Sequence, residues 1–505
     1  MPNNATAMLE TPNSTTAAPE WLETGIPQLD TVMGGGLLRG SLAVVIGAPG
    51  SGKTIMAQQI AFHRAAAGGA TLLLTGYSET HAKLLTHTSG LSFFKPHLIG
   101  TKIQLASLLD LLGEGPEETE DAIVATARSQ HASLVVIDGF GGMRRMLTND
   151  QAVAQFLYSL GAKLALLGMT TLVVLEGSPD EVGRLPEMAV CDVILALCSE
   201  EQGSRTRRLL KVVKTRGSAP LAGIHPYAID GDGLSIFPRF ESLSLGGQPA
   251  WNPARAGFGN AGIDRMFGGG LNVGTATLAG GSPGVGKTLL GLHFMAEGAR
   301  VGEPTLFLGF LESLEQLREQ ARLFGMDLAA AERTGQARFL VLPAHDLEAD
   351  YIAGLLYKDV ERRGVRRLVI DSAAELERAI GATERKSGFL SALVTYLRSR
   401  QVTTYLTLDI PTIAGPTLEF AETPLSLIAE NLALLRSVEY RGQLHLVLSV
   451  LKMRFSTHER GIYEYAIKAG QGIEIAGPAP LGEGLLTGVA RSLVDIPLQS
   501  QTNGR

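Results

Sequence analysis

The chain has 505 residues, 45% of them hydrophobic and 19% charged, which excludes a disordered chain and leaves room for large buried cores. A net charge of −6 gives no global attraction to nucleic acid, and the two cysteines, Cys191 and Cys198, form no CxxC pair, which excludes a zinc ribbon. The longest apolar stretch, from Leu164, is broken by Gly168 and too short to span a bilayer, so no membrane association is expected.

Residues 1–17 are polar and lack the apolar core of a secretory signal; with so few cysteines, a cytoplasmic protein with a poorly ordered first segment is expected. From residue 18 short β-branched runs alternate with helical stretches, beginning with LAVVIG and TIMAQQIAFHRAAA. Between these two lie Gly47, Ala48, Pro49, Gly50, Ser51, Gly52, Lys53 and Thr54, a GxxxxGK[ST] loop that follows a strand and opens a helix. Next comes TLLLTGYSETHAKL, then SLVVID ending at Asp138, TTLVVLEG with Glu176, and KVVKTRGS. The Gly/Pro-rich GGQPAWNPARAG from Gly246 reads as a join. Beyond it the same landmarks return in the same order. Gly281, Ser282, Pro283, Gly284, Val285, Gly286, Lys287 and Thr288 form the second loop, TLFLGFLESLEQL contains Glu312, RRLVID ends at Asp371, TTYLTLDI contains Asp409, and VLKMRFS contains Lys452. The offset is 234 at the loop lysines, 233 at the strand-end aspartates and 238 at Lys214 and Lys452, which indicates a duplicated domain. The expected architecture is α/β: two tandem domains, 18–245 and 246–480, each a mainly parallel sheet flanked by helices, with a tail over 481–505.

In both loops the glycines let backbone N–H groups wrap phosphates, and the helix N-terminus adds its dipole. Lys53 and Lys287 would reach the β- and γ-phosphates of ATP, and Thr54 and Thr288 would place a hydroxyl on Mg²⁺. Asp138 and Asp371 end apolar strands at the edge where open sheets bind ligands, as metal-proximal carboxylates do. Hydrolysis also needs a group to activate water, and here the halves diverge. Glu312 is a plausible base in the second half. Ungapped alignment puts Ser78 opposite it, with Glu79 one place late and directed to the other side of an extended chain. Glu176 and Asp409 are candidates to sense the γ-phosphate or to cap a helix.

Together these strings, with TGIPQLDTVMGGGLLRGSLAVVIGAPGSGKT, RLVIDS and VEYRGQLHLVLSVLKMRFSTH, resemble the KaiC family of RecA-like ATPases over roughly residues 18–480. The resemblance implies two RecA-like P-loop domains in a two-tiered hexameric ring of identical chains, with ATP between neighbours. It also implies that a basic KxR pair, Lys214 and Arg216 or Lys452 and Arg454, reaches the neighbouring subunit's nucleotide. Such a cation stabilises charge on the transferring phosphoryl group. The chain departs from the family in two places. The family's two adjacent glutamates become Leu311-Glu312 in the second domain and Tyr77-Ser78 in the first, so weak or absent hydrolysis is expected at the first site. At the family's Ser-Thr phosphosite, Ser426 is retained, Leu427 replaces the threonine and Thr423 lies nearby, leaving single-site serine autophosphorylation as an expectation. The tail does not resemble the clock protein's activator-binding tail. The reading is a KaiC-like ATPase acting in signalling or regulation with an unidentified regulatory protein. A nucleotide-dependent, non-hydrolysing scaffold and a RecA-like DNA-dependent motor are the alternatives; no long basic run or Arg/aromatic alternation supports the latter.

Overall fold

The computed structural model describes residues 20–76, 81–113, 115–144, 147, 149–202, 205–243, 245, 247, 251–343, 347–410, 428–440, 442–479, 482–483 and 491–492. The chain divides into two compact units at Arg239/Phe240. Phe240 goes with the second unit because it is buried beside Phe389 and Tyr396, and its N–H donates to Asp350 Oδ1 at 2.9 Å.

In the first unit the strands are β1 (Leu42–Gly47), β2 (Ala70–Thr75), β3 (Ile103–Ser107), β4 (Ala132–Asp138), β5 (Thr170–Glu176), β6 (Val193–Gln202), β7 (Arg205–Thr215), β8 (His225–Asp230) and β9 (Gly233–Ile236). They form one sheet in the order β9-β8-β7-β6-β1-β5-β4-β2-β3. The first six are parallel, and β7 to β9 are added antiparallel at one edge. Helices α1 (Lys53–Ala66), α2 (Pro116–Ser129) and α3 (Asp150–Leu166) cover the two faces. The run LAVVI is apolar throughout because both faces are covered: Ala43 and Val45 pack with Met56 and Ile60 of α1, while Val44 and Ile46 pack with Ile123 of α2 and Leu157 of α3.

The second unit repeats this plan strand for strand. Its strands are β10 (Ala276–Gly281), β11 (Thr305–Gly309), β12 (Ala337–Val341), β13 (Arg367–Asp371), β14 (Thr403–Asp409), β15 (Asn431–Tyr440), β16 (Gln443–Met453), β17 (Ile462–Lys468) and β18 (Gly472–Pro478). Their order, β12-β11-β13-β14-β10-β15-β16-β17-β18, is that of the first sheet with nine added to every number. Helices α4 (Lys287–Arg300), α5 (Leu314–Leu323), α6 (Ala349–Arg363), α7 (Ala373–Ile380) and α8 (Thr383–Ser399) flank it. The duplication therefore holds at the level of topology. In each unit the loop strand sits at the sheet's centre, flanked by strands from far along the chain, the topological switch point where α/β sheets bind ligands. Among the described residues no helix is long and apolar enough to cross a membrane.

Candidate functional site: two phosphate loops and the far sheet edge

Both loops have the same backbone. Gly50 and Gly284 take φ of 79° and 84°, and Gly52 and Gly286 take 90° and 91°, values open to glycine but strained for other residues. A Cβ on Gly281 would lie 2.3 Å from the carbonyl oxygen of Leu435 on the neighbouring strand, so backbone packing forbids a side chain there. Gly52 and Gly286 precede α1 and α4 without any side-chain cap, which leaves the first-turn N–H groups directed toward an incoming anion.

The loop lysines are buried and held by carbonyl oxygens. Lys53 Nζ donates to Ala48 O at 2.8 Å; Lys287 Nζ donates to Gly281 O at 2.9 Å and Ser282 O at 2.8 Å. Burial lowers the Lys53 pKa, opposed by the charges of Glu176 and Asp138. Lys287 also pairs with Asp409 Oδ1 at 2.8 Å. Asp409 is register partner to Gly281, as Glu176 is to Gly47, so each of these strand-end carboxylates stands beside its loop.

Asp371, at the end of β13, accepts from Thr288 Oγ1 at 2.6 Å through one oxygen and from Thr407 Oγ1 through the other. Burial raises its pKa, against the opposing effect of the two hydroxyl bonds and Lys287. Thr288 and Asp371, each expected from sequence beside the metal, are in direct contact in the second unit. Asp138 ends β4 in the same register, beside Thr75 and Val174. No cluster of three or more acidic, His or Cys side chains able to hold a metal occurs among the described residues. A hydroxyl and a carboxylate beside a phosphate-shaped loop fit Mg²⁺, which takes one or two protein oxygens and completes its shell with phosphates and water.

Glu312, just beyond β11, is half-buried. Burial raises its pKa, and the charges of Asp371, Asp409 and Glu375 act in the same direction. Its first-domain counterparts Tyr77 and Ser78, with Glu79, lie outside the described residues, as do Thr423, Ser426 and Leu427.

The KxR residues lie elsewhere. Lys214 pairs with Ile194, which pairs with Val44; Arg216 N bonds to Asp192 O beside the first residue of β1. In the second unit Lys452 pairs with Leu432, opposite Leu278, and Arg454 N bonds to Glu430 O beside the start of β10. Each arginine therefore sits five residues, about 16 Å at strand spacing, from the end of the sheet where its own loop begins. Lys214 and Lys452 donate to Ala189 O and Ala429 O, both at 2.9 Å. Burial lowers the Lys452 pKa, with Arg454 adding to the effect.

The two arginines differ in their own-chain partners. Asp192 tethers Leu42 N at 3.0 Å and also pairs with Arg216 at 3.3 Å. Glu430 tethers Ala276 N in the same way at 2.9 Å, but its other oxygen is taken by Arg398. Among the described residues the Arg454 side chain has no ion-pair partner, and Arg454 is exposed.

Two contacts were not anticipated from sequence. Tyr227 OH donates to Ser51 O, and Tyr465 OH to Val285 O, each at 2.5 Å, so a buried phenol on an antiparallel strand fixes one loop carbonyl in each unit. Burial pushes both phenols far above the ordinary range. The offset of 238 between the tyrosines, the same as between Lys214 and Lys452, is the signal that would have found them.

The family model of the KaiC ATPase matches residues 22–241 and again 258–479. The circadian clock oscillator protein KaiC of Picosynechococcus sp. is 28% identical over 89% of this chain and 88% of its own length. That of Rippkaea orientalis is 28% identical over 90% and 88%. The circadian clock protein KaiC3 of Synechocystis sp. is 27% identical over 93% and 94%.

Proposed function

The chain belongs to the KaiC ATPase family, and from that premise we propose that it is a slow ATP-hydrolysing ring protein in which the second unit does the hydrolysis and the first serves assembly. The observation that carries this reading is the division of each site between two sheet edges. The loop, Lys287, Thr288 and Asp371 stand at one end of the second sheet, while Lys452 and Arg454 stand at the other. Such cations serve a loop on another copy of the chain. A homo-hexameric ring supplies that copy at every interface.

In this reading the loop N–H groups and Lys287 bind the triphosphate, and Thr288 and Asp371 hold Mg²⁺, which neutralises developing phosphate charge when bound. Glu312 orients and deprotonates the attacking water. Its raised pKa strengthens it as a base while leaving it protonated, and idle, at lower pH. Arg454 of a neighbouring copy, with no ion-pair partner in its own chain among the described residues, stabilises the transferring phosphoryl group. At first-unit sites Arg216 must leave Asp192, and Tyr77-Ser78 stand where the second unit has Leu311-Glu312. ATP there acts as assembly glue. Ser426 is the candidate acceptor for autophosphorylation, the regulatory partner is a protein, and the setting is cytoplasmic.

The test is ATP turnover with native mass recorded alongside, in wild type, Lys53→Ala, Lys287→Ala and Glu312→Gln. The reading expects Lys53→Ala to disrupt the ring. Lys287→Ala and Glu312→Gln should abolish turnover, the latter by about 10²–10⁴-fold, as for loss of a general base. Turnover that survives Glu312→Gln but dies with Lys53→Ala in an intact ring would reverse the assignment of the two units. ATP that stays bound and unhydrolysed in wild type would favour the non-hydrolysing scaffold.

A further inference from the structure

The edge that carries Arg454 is built differently from its counterpart in the first unit. There Lys214-Thr215-Arg216 is followed by Gly217, whose φ of 83° suits glycine. In the second unit Lys452-Met453-Arg454 is followed by Phe455, with φ of 64°. A bulky side chain in the left-handed region is a true outlier, and such strain concentrates where a ligand is gripped. Burial does not explain the substitution, because the Phe455 side chain is 65% exposed. It packs edge-on against Trp251, itself 58% exposed, with ring centroids 5.0 Å apart. The turn is braced from behind: Arg255 donates to Ser456 Oγ at 2.7 Å and to Asn272 Oδ1 at 2.9 Å. An exposed phenylalanine on a braced turn, with the exposed Trp251 ring of another segment against it, adjoins an arginine with no ion-pair partner in its own chain among the described residues. A purine nucleotide matches that pattern, since its base stacks on an aromatic face and its phosphates pair with guanidinium.

We propose that Phe455 and Trp251 form a stacking platform for the base of the nucleotide held in the second P-loop of a neighbouring copy, a platform that the first unit, with Gly217, lacks. This rests on the ring reading above, because the chain's own second loop begins at the opposite end of the sheet. It makes Phe455 a specificity-determining residue that distinguishes a base-bearing ligand from a bare triphosphate.

The experiment compares ATP with inorganic tripolyphosphate, in the presence of Mg²⁺, in full-length protein carrying Trp21→Phe. Trp251 is then the sole tryptophan, since the chain has two. Native mass reports the ring. Addition of ATP is expected to shift Trp251 emission, and addition of tripolyphosphate is not. In Phe455→Gly, which also relieves the backbone, the preference for ATP over tripolyphosphate should fall about 5- to 150-fold, the equivalent of about 1–3 kcal/mol of base stacking. Tripolyphosphate affinity itself should stay unchanged. An intact ring in which Phe455→Gly leaves that preference unaltered overturns the platform and spares the ring. A chain that stays monomeric under saturating MgATP overturns the ring reading, and the platform with it.

Discussion

Substitution of His293 by glutamine is predicted to remove a pH dependence from the stability of the second unit. His293 lies within α4, buried, and its Nε2 accepts the N–H of Ile473 at 3.1 Å. A Cβ on neighbouring Gly472 would lie 2.1 Å from that nitrogen, so the β17–β18 turn packs directly on the ring. Burial lowers the histidine's pKa, and the ring is neutral in the fold. Protonation would turn the accepting nitrogen into a donor facing another donor. That leaves a buried N–H without its partner, at a cost of about 1–3 kcal/mol. The sign follows from proton uptake: the unfolded chain binds a proton near pH 6.5 and the folded chain only at lower pH. This contribution to stability is therefore full above about pH 6.5, and it is lost progressively as pH falls from there toward the folded pKa. The repeat supplies the replacement. Gln59, at the same place on α1, accepts Leu234 N at 2.8 Å through Oε1 and donates to Leu234 O at 3.3 Å. Calorimetric unfolding between about pH 5 and pH 7.5 should show the second unit of His293→Gln gaining on wild type as pH falls. One histidine can lose at most about 1.4 kcal/mol for each pH unit below about 6.5, or about 2 kcal/mol at pH 5, so at about 2–4 °C per kcal/mol the gain reaches roughly 2–8 °C at the acid end. A difference between variant and wild type that stays constant with pH would refute the reasoning.

Tyr465→Phe should leave Val285 O without a buried partner, loosening the second loop at a cost of about 1–3 kcal/mol; calorimetry and ATP titration should both register it, and an unchanged melting temperature would count against the contact. Incubation with ATP followed by intact-mass measurement should show a single added phosphate that is lost in Ser426→Ala, and no mass shift over hours would end the autokinase reading while leaving the ATPase reading standing.

The loops were legible because GxxxxGK[ST] encodes a backbone shape, and the strand-end aspartates because an apolar run closed by a carboxylate marks a sheet's ligand edge. Self-similarity gave the duplicated topology, since equal spacing between landmarks leaves room for the same elements. Contacts made across the sheet were harder to see. Tyr465 reaches Val285 over 180 residues, and no local pattern announces a phenol aimed at a loop carbonyl. The different partners of Asp192 and Glu430 depend on Arg398, an arginine of α8 with nothing in its sequence neighbourhood to mark it. The αL conformation at Phe455 was equally hidden, because that place was read as part of a KxR string and not as the counterpart of Gly217. The KxR role itself came from family resemblance; the sheet register adds that these cations stand far from their own loop.

The central claim is that each second-unit site is completed by a neighbouring chain. Two variants inactive for opposite reasons test it directly: Lys287→Ala lacks the loop lysine but supplies Arg454, and Arg454→Ala keeps the loop but supplies no cation. Turnover should be negligible in each alone. In equimolar mixed rings, with mixing verified by native mass, one interface in four pairs an intact loop with an intact arginine. About a quarter of wild-type turnover should therefore return if the cation acts in trans. Mixed rings as inactive as their parents would contradict the account.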